Sequence, residues 1–206
     1  MIGYYNYTVI LTYIGTLFGF TGITCIWNNN LKLALICLMI SGFCDMFDGK
    51  IASTMERTKE EKRFGVQIDS LSDLICFGVL PALIAFHCSN GEFLQLIISA
   101  AYVLCALIRL AWFNVDEEQR QDFEEKSRKS YLGLPVTTVA LLLPFFISGA
   151  QFFKLPLDKL CPWLLLIIAV GFISPFCLRK PNAVGKLIMT LCGIAALALV
   201  LIGVRV

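Results

Sequence analysis

The chain has 206 residues, 58% of them hydrophobic and 16% charged, with a formal net charge of +2 and a mean hydropathy of +0.77. Soluble domains carry about 25% charged residues, so the composition argues against one and for a single membrane-embedded domain over residues 1–206. No nucleic-acid partner is expected. The nine cysteines are scattered singly with no C-x-x-C pair, and His87 is the sole histidine, so a zinc site, a dithiol redox motif and a histidine-based triad are excluded.

A spanning helix needs about 20 largely apolar residues. Seven segments meet or approach that length: 7–27, 31–54, 64–88, 92–114, 132–153, 160–178 and 184–204. The expected fold is an all-α polytopic helix bundle with about seven transmembrane helices, six to eight depending on how 132–178 divides. The first segment is too long for a cleavable signal peptide and lacks a charged leader and a small-residue cleavage site.

The second segment ends in Asp45-Met46-Phe47-Asp48-Gly49-Lys50-Ile51-Ala52-Ser53, and the third begins Phe64-Gly65-Val66-Gln67-Ile68-Asp69-Ser70-Leu71-Ser72-Asp73. A charge at the bilayer centre costs roughly 2.5–3.5 kcal/mol on insertion scales, so acids inside spanning segments call for a reason. Asp45 and Asp48 are three apart and Asp69 and Asp73 four apart, so each pair shares a helix face. The charged stretch 55–63 joins the two segments as a hairpin, which lets the helices run antiparallel and present four carboxylates to one another. Two unit charges 5 Å apart repel by about 3 kcal/mol at an effective dielectric of 20. Divalent cations remove that repulsion, and an all-carboxylate set suits Mg²⁺ or Mn²⁺. Two such ions would also hold a diphosphate. Gly49, Ala52 and Gly65 leave room for a nucleotide or a neighbouring backbone.

Further along, Pro81 is placed to kink the third segment, with Gly78 adding space, either as an ordinary kink or as the opening of a pocket for a small acceptor. Arg109 lies about one turn inside the end of the fourth segment, where its side chain can snorkel outward. It is a candidate for binding a carboxylate or phosphate, or a structural partner for an acid or a lipid headgroup. Asn114 is a weaker candidate and equally a helix cap. The run 115–130 reads as a solvated, partly helical loop.

Lys and Arg set the orientation. With the N-terminus inside, the cytoplasmic side holds twelve (Lys50, Arg57, Lys59, Lys62, Arg63, Arg120, Lys126, Arg128, Lys129, Arg179, Lys180, Lys186) and the other side four (Lys32, Lys154, Lys159, Arg205). The acidic hairpin is therefore expected to face the cytoplasm from a multi-pass position in the cell membrane.

The run Asp45-x-x-Asp48-Gly49-x-x-Ala52, followed by Gly65-x-x-x-Asp69-x-x-x-Asp73, resembles the motif of the CDP-alcohol phosphatidyltransferases. The family pattern has Arg after the Ala, where this chain has Ser53, and its spacer before the second Gly is shorter by a few residues. Arg57 or Arg63 is a candidate for the missing cation. The continuation Leu71-Ser72-Asp73-Leu74-Ile75-Cys76-Phe77-Gly78-Val79-Leu80-Pro81-Ala82 is similar to the branch with serine as acceptor, which reads D-S-L-x-D-x-x-x-F-G-x-x-P-A. Arg109-Leu110-Ala111-Trp112-Phe113-Asn114 and Gly133-Leu134-Pro135 also look like that branch. The resemblance implies transfer of the phosphatidyl group of CDP-diacylglycerol to L-serine by a homodimer among membrane lipids, with two Mg²⁺ or Mn²⁺ ions. It implies Asp45, Asp48 and Asp69 as metal ligands, and Asp73 as ligand and general base. Asp45, Asp48, Gly49, Ala52, Ser53, Gly65 and Asp69 would line the nucleotide site. Two other readings stand beside it. One is the same chemistry with glycerol 3-phosphate, inositol phosphate or choline as acceptor, against which the single intramembrane Arg argues. The other is a cation carrier, against which the grouping of all four acids on one hairpin argues.

Overall fold

Helices account for nearly all of the computed structural model, which describes residues 3–89, 91–123, 130–179 and 183–203. A 3₁₀ turn at Tyr7–Val9 leads into α1 (Ile10–Trp27) and α2 (Leu31–Ala52). Then α3 (Lys59–Asp73), a π-helical turn (Leu74–Val79) and α4 (Leu80–Cys88) follow without a break, so that Lys59–Cys88 is one rod. α5 (Phe93–Phe123), α6 (Val139–Phe152, entered by a 3₁₀ turn at Val136–Thr138), α7 (Leu157–Ile173) and α8 (Ala183–Gly203) complete the chain. Counting the rod once gives seven helices among the described residues, within the six to eight that the sequence leads one to expect. Two three-residue strands, β1 (Ser130–Leu132) and β2 (Cys177–Arg179), pair antiparallel and tie the entry of α6 to the exit of α7.

Among the described residues, three helices are long and apolar enough to cross a membrane: Tyr7–Trp27, Lys59–Cys88 and Phe93–Gln119. Large apolar side chains face outward along the bundle, among them Leu17, Phe20, Leu107, Trp163, Ile167 and Ile202. A surface that apolar belongs in lipid rather than water. The interior is built on Leu35, Leu38, Phe77, Leu80, Ile84, Tyr102, Leu143 and Leu165, all at most 1% exposed.

Small residues set the closest approaches. Gly15, Gly19 and Gly22 form a stripe on α1; a Cβ at Gly15 would lie 3.3 Å from the Cys44 Cβ, and one at Gly22 would lie 2.7 Å from a Leu80 methyl. Small residues at these positions let helix backbones approach where lipid supplies no hydrophobic driving force. This stripe brings α1 against α2 and the π turn.

Two sequence boundaries shift. The stretch 55–63 is half helix, because Thr58 and Glu61 form a reciprocal capping box that starts α3 at Lys59. The hairpin connection is therefore only residues 53–58. The fourth span also continues as helix to Phe123, well into the charged run. Lys126, Arg128, Lys129, Lys180 and Arg205 of the charge count, and Asn90 of the turn before α5, lie outside the described residues.

Candidate active site

α2 and α3 run antiparallel on either side of the short connection, and their acidic faces meet. Asp45, Asp48 and Asp69 each present a carboxylate oxygen so that all three atoms lie within 4.8 Å of one another. Carboxylates this close repel one another unless a cation or a shared proton lies between them. Asp73, one turn beyond Asp69, is 8% exposed and sits at the inner end of the cluster. All four acids border one small cavity of about 10 Å³, room for a water-sized sphere. The donor set is wholly oxygen, from three half-exposed carboxylates and one buried one, and fits a hard divalent cation.

Half of the hydroxyls around the cluster come from α1, which the sequence motif does not include. Thr12 Oγ1 donates to Asp48 Oδ2 at 3.3 Å. Thr16 Oγ1 and Ser72 Oγ are 2.6 Å apart, and Thr16 also donates to the Thr12 carbonyl at 2.8 Å. Ser41 Oγ donates to the Gly15 carbonyl at 2.9 Å. Thr12, Gly15, Ser41, Cys44, Ser72, Cys76 and Phe77 line the cavity with the acids. Hydroxyls that hold a ligating carboxylate fix its rotamer and its lone-pair direction. The available signal was Thr12-x-x-x-Thr16 beside the Gly15/Gly19 stripe, one helical face carrying both close approach and hydroxyls.

The remaining motif residues lie at the mouth. Gly49 is exposed, and a Cβ added there would meet nothing within 4 Å. Ala52 is the last residue of α2, and Ser53 caps that helix, donating to the Lys50 carbonyl at 2.7 Å. Gly65 faces Arg57, whose Nη1 would stand 3.1 Å from a Cβ at position 65. The loop cation that reaches the motif is thus Arg57.

Arg63 points to the α5 extension, with Nε 3.5 Å from Glu118 Oε1, both side chains about half exposed. Arg109 is engaged with backbone carbonyls. Its Nη1 donates to the Leu132 carbonyl at 2.6 Å and the Phe172 carbonyl at 3.3 Å, and Nη2 to the Gly133 carbonyl at 3.5 Å. Arg109 is 8% exposed and absent from the cavity lining. The reason is local: the α6 entry and the α7 exit leave carbonyls without helical partners, and a buried five-donor group satisfies several at once. Asn114 is not a cap but lies inside α5, accepting from Ser70 Oγ at 2.6 Å and donating to Gln67 Oε1 at 3.3 Å.

A helical membrane bundle whose acids converge from two arms of one hairpin defines a class of carboxylate-centred membrane proteins. Residues 5–204 match the family model of the CDP-alcohol phosphatidyltransferases, and the chain belongs to that family. It is 28% identical to the CDP-diacylglycerol–serine O-phosphatidyltransferase of Helicobacter pylori over 163 residues, 76% of this chain and 64% of that protein. It is 40% identical to the Saccharomyces cerevisiae protein of the same name over 108 residues, 51% of this chain and 38% of that one. Identity to the archaetidylserine synthase of Methanothermobacter thermautotrophicus is 28% over 142 residues, 68% of this chain and 57% of that protein. The chain thus spans between about two fifths and two thirds of these relatives' lengths.

Proposed function

We propose that this chain, as one catalytic domain over residues 1–206, transfers the phosphatidyl group of CDP-diacylglycerol to the hydroxyl of L-serine, giving phosphatidylserine and CMP. The observation that carries the reading is the convergence of Asp45, Asp48 and Asp69 within 4.8 Å, with buried Asp73 one turn deeper. The relatives named for serine transfer support the acceptor. Mg²⁺ or Mn²⁺, two ions in this reading, would be held by Asp45, Asp48, Asp69 and Asp73 and would neutralise charge on the diphosphate.

The chain's own residues do the rest. The cavity among the acids is too small for a nucleotide, so CMP lies over the open surface at Gly49, Ala52, Ser53 and Gly65. Arg57 beside Gly65 supplies a guanidinium for a phosphate oxygen in place of the family's Arg. The serine oxygen attacks the β-phosphorus, the bond from that phosphorus to the CMP oxygen breaks, and CMP leaves with the electron pair. Asp73 accepts the serine proton. The acyl chains remain in the bilayer while the diphosphate reaches the cavity mouth, which faces the cytoplasm. Two copies of the chain form a dimer.

The test is purified full-length chain with CDP-diacylglycerol and Mn²⁺ or Mg²⁺, with acceptors supplied one at a time and CMP release measured. Serine is expected to exceed glycerol 3-phosphate, inositol phosphate and choline by at least about tenfold, a difference of about 1.4 kcal/mol in transition-state binding. Chelator should abolish release. Preference for another acceptor overturns the serine reading, and release in excess chelator overturns the metal reading.

A further inference from the structure

The π turn Leu74–Val79 begins immediately after Asp73 and ends just before Leu80-Pro81. It is marked by the Leu80 N–H donating to the Ile75 carbonyl, five residues back. Proline explains why a wide turn forms here. Pro81 has no N–H to give the Phe77 carbonyl, and in a regular α-helix its ring would collide with that group. The Phe77 carbonyl instead accepts from Tyr102 Oη on α5 at 2.7 Å. Tyr102 is fully buried, its ring 5.4 Å from that of Phe172 on α7.

The consequence reaches the carboxylates. A π turn inserts one residue into the helix, which rotates everything before it by about 100° relative to everything after it. α4 is locked by Leu80, Pro81, Ala82, Ile84 and Ala85, all buried. The direction of the acidic face of α3 is therefore set by whether the wide turn persists. Phe77 and Cys76, within the turn, line the same cavity as Asp69 and Asp73.

We propose that Tyr102 is a positioning residue for the active site, pinning the π turn through the Phe77 carbonyl and so aiming Asp69 and Asp73 at the carboxylates of α2. This rests on the proposed role of those acids as a metal and catalytic cluster. The experiment uses the full chain in nanodiscs, well below each variant's unfolding midpoint. Mn²⁺ affinity is read from the electron paramagnetic resonance of free Mn²⁺, alongside CMP release. Tyr102→Phe should weaken Mn²⁺ binding by about tenfold, the low end of what losing an outer-shell partner costs a metal site. Pro81→Ala restores a backbone N–H, so Tyr102→Phe in that background should change affinity by less than about twofold, the coupling expected of two groups serving one carbonyl. Affinity in Tyr102→Phe within twofold of the wild type, or an equal loss with and without Pro81, overturns the proposal. If the wild type binds Mn²⁺ but releases no CMP with serine, the serine reading fails while the affinity comparison still decides the role of Tyr102. If it binds no Mn²⁺, both fall.

Discussion

The four aspartates differ in where they sit. Asp45, Asp48 and Asp69 are half exposed around the cavity mouth, whereas Asp73 is buried a turn deeper beside Ser72, whose hydroxyl is held by Thr16. In the proposed reaction the three acids at the mouth would meet the nucleotide through a metal ion, and the deeper acid would meet the acceptor. Asp45→Asn is therefore expected to weaken metal-dependent CDP-diacylglycerol binding as well as the rate. Asp73→Asn should lower the single-turnover rate by about 10²–10⁴-fold, the usual range for a general base, with nucleotide affinity nearly kept. Equilibrium binding beside single-turnover kinetics separates the two; equal loss of nucleotide affinity in both variants would make Asp73 a ligand first. The spacing of these acids was legible in the sequence because three- and four-residue steps define a helix face. The part played by the hydroxyls of Thr12 and Thr16 was not, since they meet the cluster only when α1 packs on α2.

Elements are joined here by a few specific contacts rather than by helix propensity. The junction of α5, α6 and α7 turns on Gly133, which has φ +69° and whose carbonyl accepts from Arg109. A Cβ there would lie 2.8 Å from Arg109 Nη1 and 2.9 Å from the Ser174 carbonyl. Gly133→Ala meets both backbone strain and a collision with a carbonyl that cannot rotate away. A loss of about 1–3 kcal/mol is expected, seen as a lower midpoint in thermal unfolding of the detergent-solubilised chain; an unchanged midpoint would mean that this junction yields. Arg109 takes backbone carbonyls of this junction as its partners. An intramembrane arginine reads as functional in sequence because its cost demands a partner, but the partners proved to be carbonyls of chain segments 23 to 63 residues away. Pro81 was legible as a disturbance of the helix, and its resolution into a π turn held by Tyr102 was not.

Across the whole molecule, the outward apolar surface and the grouping of charge at the hairpin end set how the bundle lies in a bilayer. Dividing the sequence at its apolar segments assigns twelve basic residues to the hairpin side and four to the other, so the connection between α2 and α3 is expected in the cytoplasm. In a cysteine-free background, a cysteine at Glu56, which is exposed and outside the Thr58 cap, should resist an impermeant thiol reagent in intact cells. One at Asn28, exposed at the far end of α1, should label. The reverse pattern would invert the topology. The sequence by itself determined the helical class, a count of six to eight helices and the grouping of the acids, because apolar length, helical period and the cost of charge in lipid act locally along the chain. Tertiary structure alone decided that Thr12 holds Asp48, that Arg57 approaches Gly65, and that Arg109 binds backbone. Those outcomes depend on which faces of distant helices the glycine stripe and the proline-widened turn bring together, and no local pattern encodes that.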